Sequence, residues 1–337
     1  MKMRWLSTMR VLSVCALLAL LSSLAVPAQE KPKEQPKVSE DEAKALQKIN
    51  TAPTTAEKVK LAVEFNKKFK KSSQRGRVAD YVAGQIMNEK DAAQKLQLAQ
   101  QFIAAFDQPG EADLVKPAQI DAYAQTGKFD EAFAEGAKYL AAHPDDAFIH
   151  TQLGWSGAFQ MQKQGATWKH AQATTQHLAK ALEMLEGDKK PEKTDAKYWS
   201  DYRNSWLPRL YQAQGTLAYL SKDRAKAKDS LEKAAGLDQY EPQTLALLGT
   251  IADEEYNELA KQYQTERKSD LLNKALERMD EAIDWYARAV AAAEGNAQFQ
   301  QMQQQIIEQL KQYYAFRHDG KTDGLQALID KYKKPAK

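Results

Sequence analysis

Gly215 and Gly249 stand 34 residues apart, each at the same point of an Ala- and Leu-rich helical pattern. The same spacing aligns Ile120, on a segment opened by Pro117, with Gly154, on a segment opened by Asp146. A fixed period of about 34 residues is the length of one helix–turn–helix unit in a stacked array. Such a unit cannot bury its apolar face alone. Neighbours must stack, and the stack offers a long surface to a partner.

The start of the chain carries no such period. Lys2, Arg4 and Arg10 precede an apolar run from Val11 to Val26, which ends in the small residues around Ala28. A basic start, an apolar middle and a small-residue end predict a secretory signal peptide over residues 1–28, cleaved after Ala28. The alternative is an uncleaved anchor, for which the run is short against the roughly 20 apolar residues of a span. Cys15, the one cysteine, lies inside this segment, so a mature chain has no disulfide and no thiol chemistry. The segment also holds three basic residues and no acidic ones, so the rest of the chain balances at 45 basic and 45 acidic residues. That neutrality removes the electrostatic case for nucleic-acid binding. Export to the periplasm, or secretion, is the expected fate, with no membrane span after cleavage.

Residues 29–39, with Pro32 and Pro36 among Lys, Glu and Gln, predict a solvated linker. Helical patterning starts near Glu40, and no sustained period-2 alternation follows, so the expected fold is all-α over 40–334. Lys58 to Phe69 repeats at an offset of 37 as Lys95 to Phe106. Leu61, Phe65 and Phe69 match Leu98, Phe102 and Phe106 on one face of equivalent helices, as core stripes. Gly127 predicts a helix end, and Asp145 or Asp146 an N-cap after Pro144. Pro208 predicts either a kink or the start of a new helix, and its fit to a first turn favours the start. Two helices of roughly 24 residues are expected to meet near Lys268 and Ser269, with Ser269 as N-cap. Phe299, Met302, Ile306, Leu310 and Tyr313 predict a terminal capping helix whose other face is polar.

These residues resemble the tetratricopeptide repeat family. Tyr211 and Gly215 are followed by Ala227, Leu231 and Ala234; Leu245, Leu248, Gly249 and Ala252 resume at Ala282, Tyr286 and Ala289. Tyr123, Ala132 and Pro144, then His150, Leu153 and Gly154, form an earlier unit. The match covers 113–186 and 208–293, is looser over 54–110, and leaves 296–334 as caps. Gln214 and Gly136 depart from the family pattern, and about 21 residues are inserted between Gly249 and Ala282. The resemblance implies a right-handed α-solenoid of antiparallel helix pairs. It also implies that a partner segment lies along the first helix of each pair. The matching outward positions are Thr151, Trp155 and Phe159, then Arg209, Gln212, Thr216 and Tyr219, then Thr250 and Asp253.

A second cluster follows from the residues themselves. Tyr198, Trp199, Tyr202 and Trp206 gather on one stretch, with Trp199, Tyr202 and Trp206 on one helix face. They are either a packed joint between two halves of the array or a wall for an apolar or aromatic ligand. His143, His150, His170 and His177 lack the i, i+4 spacing of ligands on one helix and read as separate surface or packing residues. Ser230 to Lys233 matches S-x-x-K without its companion motifs. The segment Gly154 to Gly157 misses the spacing of a nucleophile elbow, and the segment from His318 to Gly324 lacks the alternating carboxylates of a Ca²⁺ loop. No phosphate-binding or dinucleotide fingerprint occurs. The expectation is a non-catalytic exported scaffold with no cofactor or metal, binding a protein or peptide segment, as in cell-envelope assembly. The alternative is a periplasmic binder of a small molecule or glycan fragment that uses the aromatic cluster.

Overall fold

In a computed structural model of the chain, residues 38–165, 167–192 and 194–335 are described. The expected leader, and the linker up to residue 37, lie outside them. The described residues form fourteen α-helices and no strand. In order these are α1 (Glu40–Thr51), α2 (Thr55–Lys68), α3 (Arg75–Met87), α4 (Ala92–Ala105), α5 (Lys116–Gln125), α6 (Phe129–Ala142) and α7 (Ala147–Gln164). They continue as α8 (Ala171–Glu186), α9 (Ala196–Leu220), α10 (Arg224–Leu237), α11 (Pro242–Glu266), α12 (Ser269–Ala293), α13 (Gln300–Arg317) and α14 (Leu325–Lys331). Consecutive helices from α1 to α13 pack as neighbours along the chain, most extensively α7 with α8, α9 with α10, and α11 with α12, and α14 packs on α12. The all-α solenoid expected from the repeat is therefore present.

The repeat glycines show why these pairs form. A Cβ on Gly154 of α7 would stand 2.8 Å from the backbone of Leu178 in α8. On Gly215 it would stand 2.6 Å from the Leu231 side chain, and on Gly249 2.5 Å from the Tyr286 ring. Each glycine lets the first helix of a pair seat a large residue, or the backbone itself, of the second. Leu231, Leu153, Leu245 and Leu248 are then buried around these crossings.

Local signals set the helix ends. Asp146 is the N-cap of α7 and accepts hydrogen bonds from Phe148 N and Ile149 N, both at 3.0 Å. Gly127 turns left-handed at φ 77°, and Lys128 N donates to Tyr123 O at 2.9 Å. In the first half, Phe69 and Phe106 close α2 and α4 in the same way, with N–H donated to Phe65 O and Phe102 O at 2.8 Å. The offset of 37 thus marks two equivalent helices. Phe65, Leu98, Phe102 and Phe106 are buried, and Leu61 and Phe69 pack beside them. Arg75 fixes the end of this region. It donates to Glu111 through Nε at 2.8 Å and Nη2 at 2.7 Å, and this guanidinium holds the Glu111 carboxyl below its usual range.

Two boundaries differ from expectation. Pro208 does not open a helix: α9 runs through it without interruption from Ala196 to Leu220. The missing N–H deprives the Asn204 carbonyl of its donor, but Asn204 is exposed and water can replace it. Ser269 is not the N-cap of α12. Lys268 holds that position without a side-chain hydrogen bond, after Arg267 turns left-handed at φ 53°. The expected terminal cap is α13, which packs on α12 and buries Leu310 among Ile306 and Tyr313.

The glycine seats predict opposite signs for one substitution. Gly154→Ala should lower stability by about 1–3 kcal/mol, because backbone must move. Gly84→Ala, which meets nothing within 4 Å inside α3, should raise it by roughly 0.5–1 kcal/mol. Urea denaturation of both variants beside the wild type measures this; equal shifts would show that the crossing at Gly154 is loose.

Candidate docking strip and histidine pair

The positions expected to face a partner divide into three groups. Thr151 is fully buried, with its hydroxyl facing that of Tyr202, so it is not outward-facing. Its place on α7 turns it into the seam with α9, because α7 packs on α9 as well as on α8.

The second group is exposed enough to be polar but is engaged within the chain. Gln212 donates to Glu241 at 2.6 Å, and Thr216 donates to the Gln212 carbonyl at 2.8 Å. Tyr219 donates to Glu254 at 2.7 Å. Burial, then this carboxylate, push its hydroxyl up to about 12. Thr250 donates to the Ala246 carbonyl at 3.0 Å. Asp253 accepts from Tyr286 of α12 at 3.4 Å and from Tyr313 of α13. Arg224 meanwhile binds Glu258 through two bonds of 2.7 Å and lies 3.2 Å from Glu254. Asp253 and Glu254 thus anchor the stretched α11 in opposite directions.

The third group forms a strip along α7 and α9. Phe159 is 51 % exposed, with the Lys163 ammonium 4.4 Å from its ring centre. Trp155 is half-buried and meets Trp206 edge to face at 6.0 Å. Arg209 lies over Trp206 at 5.3 Å. Tyr202 continues the strip at 5.9 Å from Trp206 and stacks on Trp199 at 6.0 Å. Tyr198 ends it, 56 % exposed.

The aromatic cluster therefore does two things. Trp199 is buried to 2 % exposure and donates to Asp188 at 2.7 Å, as a joint residue does. Phe148 of α7, at 4.7 Å from Tyr202 and 6.0 Å from Trp199, locks the same joint. Tyr198, Tyr202 and Trp206 keep accessible surface beside it. Phe148 and Lys163 are the two members that sequence reasoning missed. Phe148 lies seven residues before Trp155 and Lys163 four after Phe159, so helical spacing carries the signal for both.

The histidines hold a second surprise. His150 of α7 and His177 of α8, read as separate residues, meet with their Nδ1 atoms 3.0 Å apart. His150 Nε2 lies 3.0 Å from the Pro144 carbonyl, which can only accept. His150 therefore carries its proton on Nε2, and His177 donates from Nδ1 to His150 Nδ1. Burial lowers the affinity of both rings for a further proton, and His177 is pushed down to about 4. His170 stacks on Phe133 at 4.5 Å and pairs with Asp130 at 2.8 Å, and His143 lies 3.5 Å from Asp113. Among the described residues no group of three or more His, Cys, Asp or Glu could hold a metal ion.

Cavities of about 300 Å³ beside Ile49, Arg77 and Tyr81, and of about 620 Å³ beside Tyr219, Lys222 and Arg224, lie away from the strip. No helix among the described residues is long and apolar enough to cross a membrane. No family model matches the chain, and no curated protein matches it.

The histidine pair predicts acid sensitivity. An unfolded histidine takes up a proton below about 6.5, whereas folded His177 does so only near 4. The unfolded state binds more protons between those values, so stability falls as pH drops from about 6.5 and levels off below about 4. His177→Asn keeps a donor toward His150 without titrating. It should remove about 1–3 kcal/mol of the loss between pH 7 and pH 4 in urea melts. An unchanged pH slope would mean that the pair is open in solution.

Proposed function

We propose that the chain is a non-catalytic scaffold whose α7–α9 strip holds a segment of another protein. Its helix pairs and repeat glycines support a tetratricopeptide-like array, right-handed as in that family, and its amino-terminal residues support export to the cell envelope. The observation that carries this reading is the strip itself. Phe159, Trp155, Trp206 and Tyr198 keep accessible ring surface along two packed helices, while neighbouring polar candidates are consumed by internal bonds. Aromatic and Arg side chains in such settings dominate interface energies, and a contiguous apolar exposure on a solenoid marks its docking side.

The same strip supports a second reading, a stacking wall for a glycan fragment or small molecule, because Tyr198, Tyr202 and Trp206 follow one another at 6.3 and 5.9 Å. It is the weaker one: Arg209 covers a face of Trp206 and Trp199 is buried. A thermal-shift screen separates the two, since a small ligand at about 100 times its Kd stabilises by roughly 2.7 kcal/mol.

A photo-crosslinking amino acid at position 159, in the full chain expressed in its native cells, tests the docking reading. The expected result is a discrete protein adduct from position 159 and none from position 316. Phe316 is 65 % exposed but lies on α13, outside the strip. Adducts at neither site, or at 316 alone, would overturn it.

A further inference from the structure

Charge is distributed unevenly among the helices. α7 spans 18 residues and contains no acidic residue; its one Lys or Arg is Lys163. α9 spans 25 residues and contains one acidic residue, Asp201, which is paired with Lys197 at 2.7 Å. Arg203 faces Asp188 at 3.1 Å. Lys163 and Arg209 remain, and neither has a carboxylate within 4 Å among the described residues. Arg75, Arg224, Arg278, Arg288 and Arg317 each face one, whereas Arg77 of α3 and Arg267 at the end of α11 do not but lie away from the strip. Both free cations sit on aromatic rings of the strip, Lys163 on Phe159 and Arg209 on Trp206. In a chain that is neutral outside residues 1–28, the two cations of the strip are thus left without an internal carboxylate beside its accessible aromatic surface.

We infer that the segment held by the α7–α9 strip is acidic and apolar: a stretch of another protein in which Asp or Glu side chains alternate with large apolar ones. This rests on the reading of the strip as a docking surface. Apolar side chains of the segment fill the seam between Trp155 and Trp206 and cover Phe159. Its carboxylates reach Lys163 and Arg209, whose π-contacts already hold the cations at the ring faces. A basic segment meets uncompensated like charge here, which gives discrimination as well as attraction. A membrane surface is disfavoured, because Trp155 and Trp206 are half-buried against each other in a seam instead of projecting toward a plane.

The test uses the full chain without residues 1–28 and four probes: labelled peptides alternating Glu with Leu, Lys with Leu, and Glu with Ser, and vesicles of anionic phospholipid. The Glu–Leu peptide should bind most tightly in fluorescence anisotropy. Its Kd should rise about tenfold or more in the Lys163→Glu/Arg209→Glu double variant, and should rise between about 50 and 500 mM salt. Both substitutions lie at accessible positions, and an unchanged circular dichroism melt verifies the fold. Equal or tighter binding of the Lys–Leu peptide, a Kd indifferent to the double variant, or binding to the vesicles in place of the Glu–Leu peptide would overturn the inference. If position 159 still crosslinks a protein in cells while the peptides show no charge preference, the docking reading stands and the acidic assignment falls. If neither peptide nor cellular adduct forms, both fall.

Discussion

The close approach of paired helices at the repeat glycines Gly154, Gly215 and Gly249 is what the rest of the molecule depends on. Absence of a side chain at these points lets the second helix of each pair press its large residues against the first. Dispersion contacts fall off steeply with distance, so an approach shortened by one Cβ brings a whole ridge of neighbours into contact. Leu231 and Tyr286 occupy the gained space directly, and Leu178 brings its backbone there. Because each pair is closed this way, the first helices are free to turn another face outward. On α7 and α9 that face carries the aromatic strip.

The long α11–α12 hairpin needs a different device. Its helices outrun their neighbours, so glycine crossings cannot hold their full length. Adjacent carboxylates do so: Glu254 takes Tyr219 and Arg224 from the preceding pair, and Asp253 takes Tyr286 and Tyr313 from the hairpin partner and the cap. These partly desolvated charge-assisted bonds are stronger than neutral ones. They also explain why polar residues on α11 and at the end of α9 are poor candidates for meeting a partner. Breaking an internal bond to make an external one gains little net energy.

Helix identity and pairing were legible in the sequence because they rest on local periodicity and on glycines at a repeat spacing. The Asp146 cap and the Gly127 turn were legible for the same reason, since caps and left-handed turns are decided by a few adjacent residues. Pro208 was not, because whether a proline starts a helix or sits inside one depends on whether the orphaned carbonyl reaches water. Thr151 was misplaced because a family pattern assigns a face to a position, whereas α7 here packs on two helices, α8 and α9. The His150–His177 bond was invisible because it joins two helices. No spacing along one chain segment predicts the mutual orientation of two rings, or the tautomer that the Pro144 carbonyl imposes.

The strip and the joint are the same aromatic set seen at two depths. Trp199 and Phe148 seal α7 to α9, and Trp206, Trp155 and Tyr202 lie one layer further out. Rings held from behind by packed neighbours lose little rotamer freedom when a partner covers their outer face, so the ordering cost of binding there is small. Lys163 and Arg209 gain in the same way, because contact with Phe159 and Trp206 already orients them. A flexible surface lysine would have to be immobilised at the moment of binding. Here that cost is met on folding, which favours the proposed docking at this irregular joint over docking elsewhere on the repetitive array.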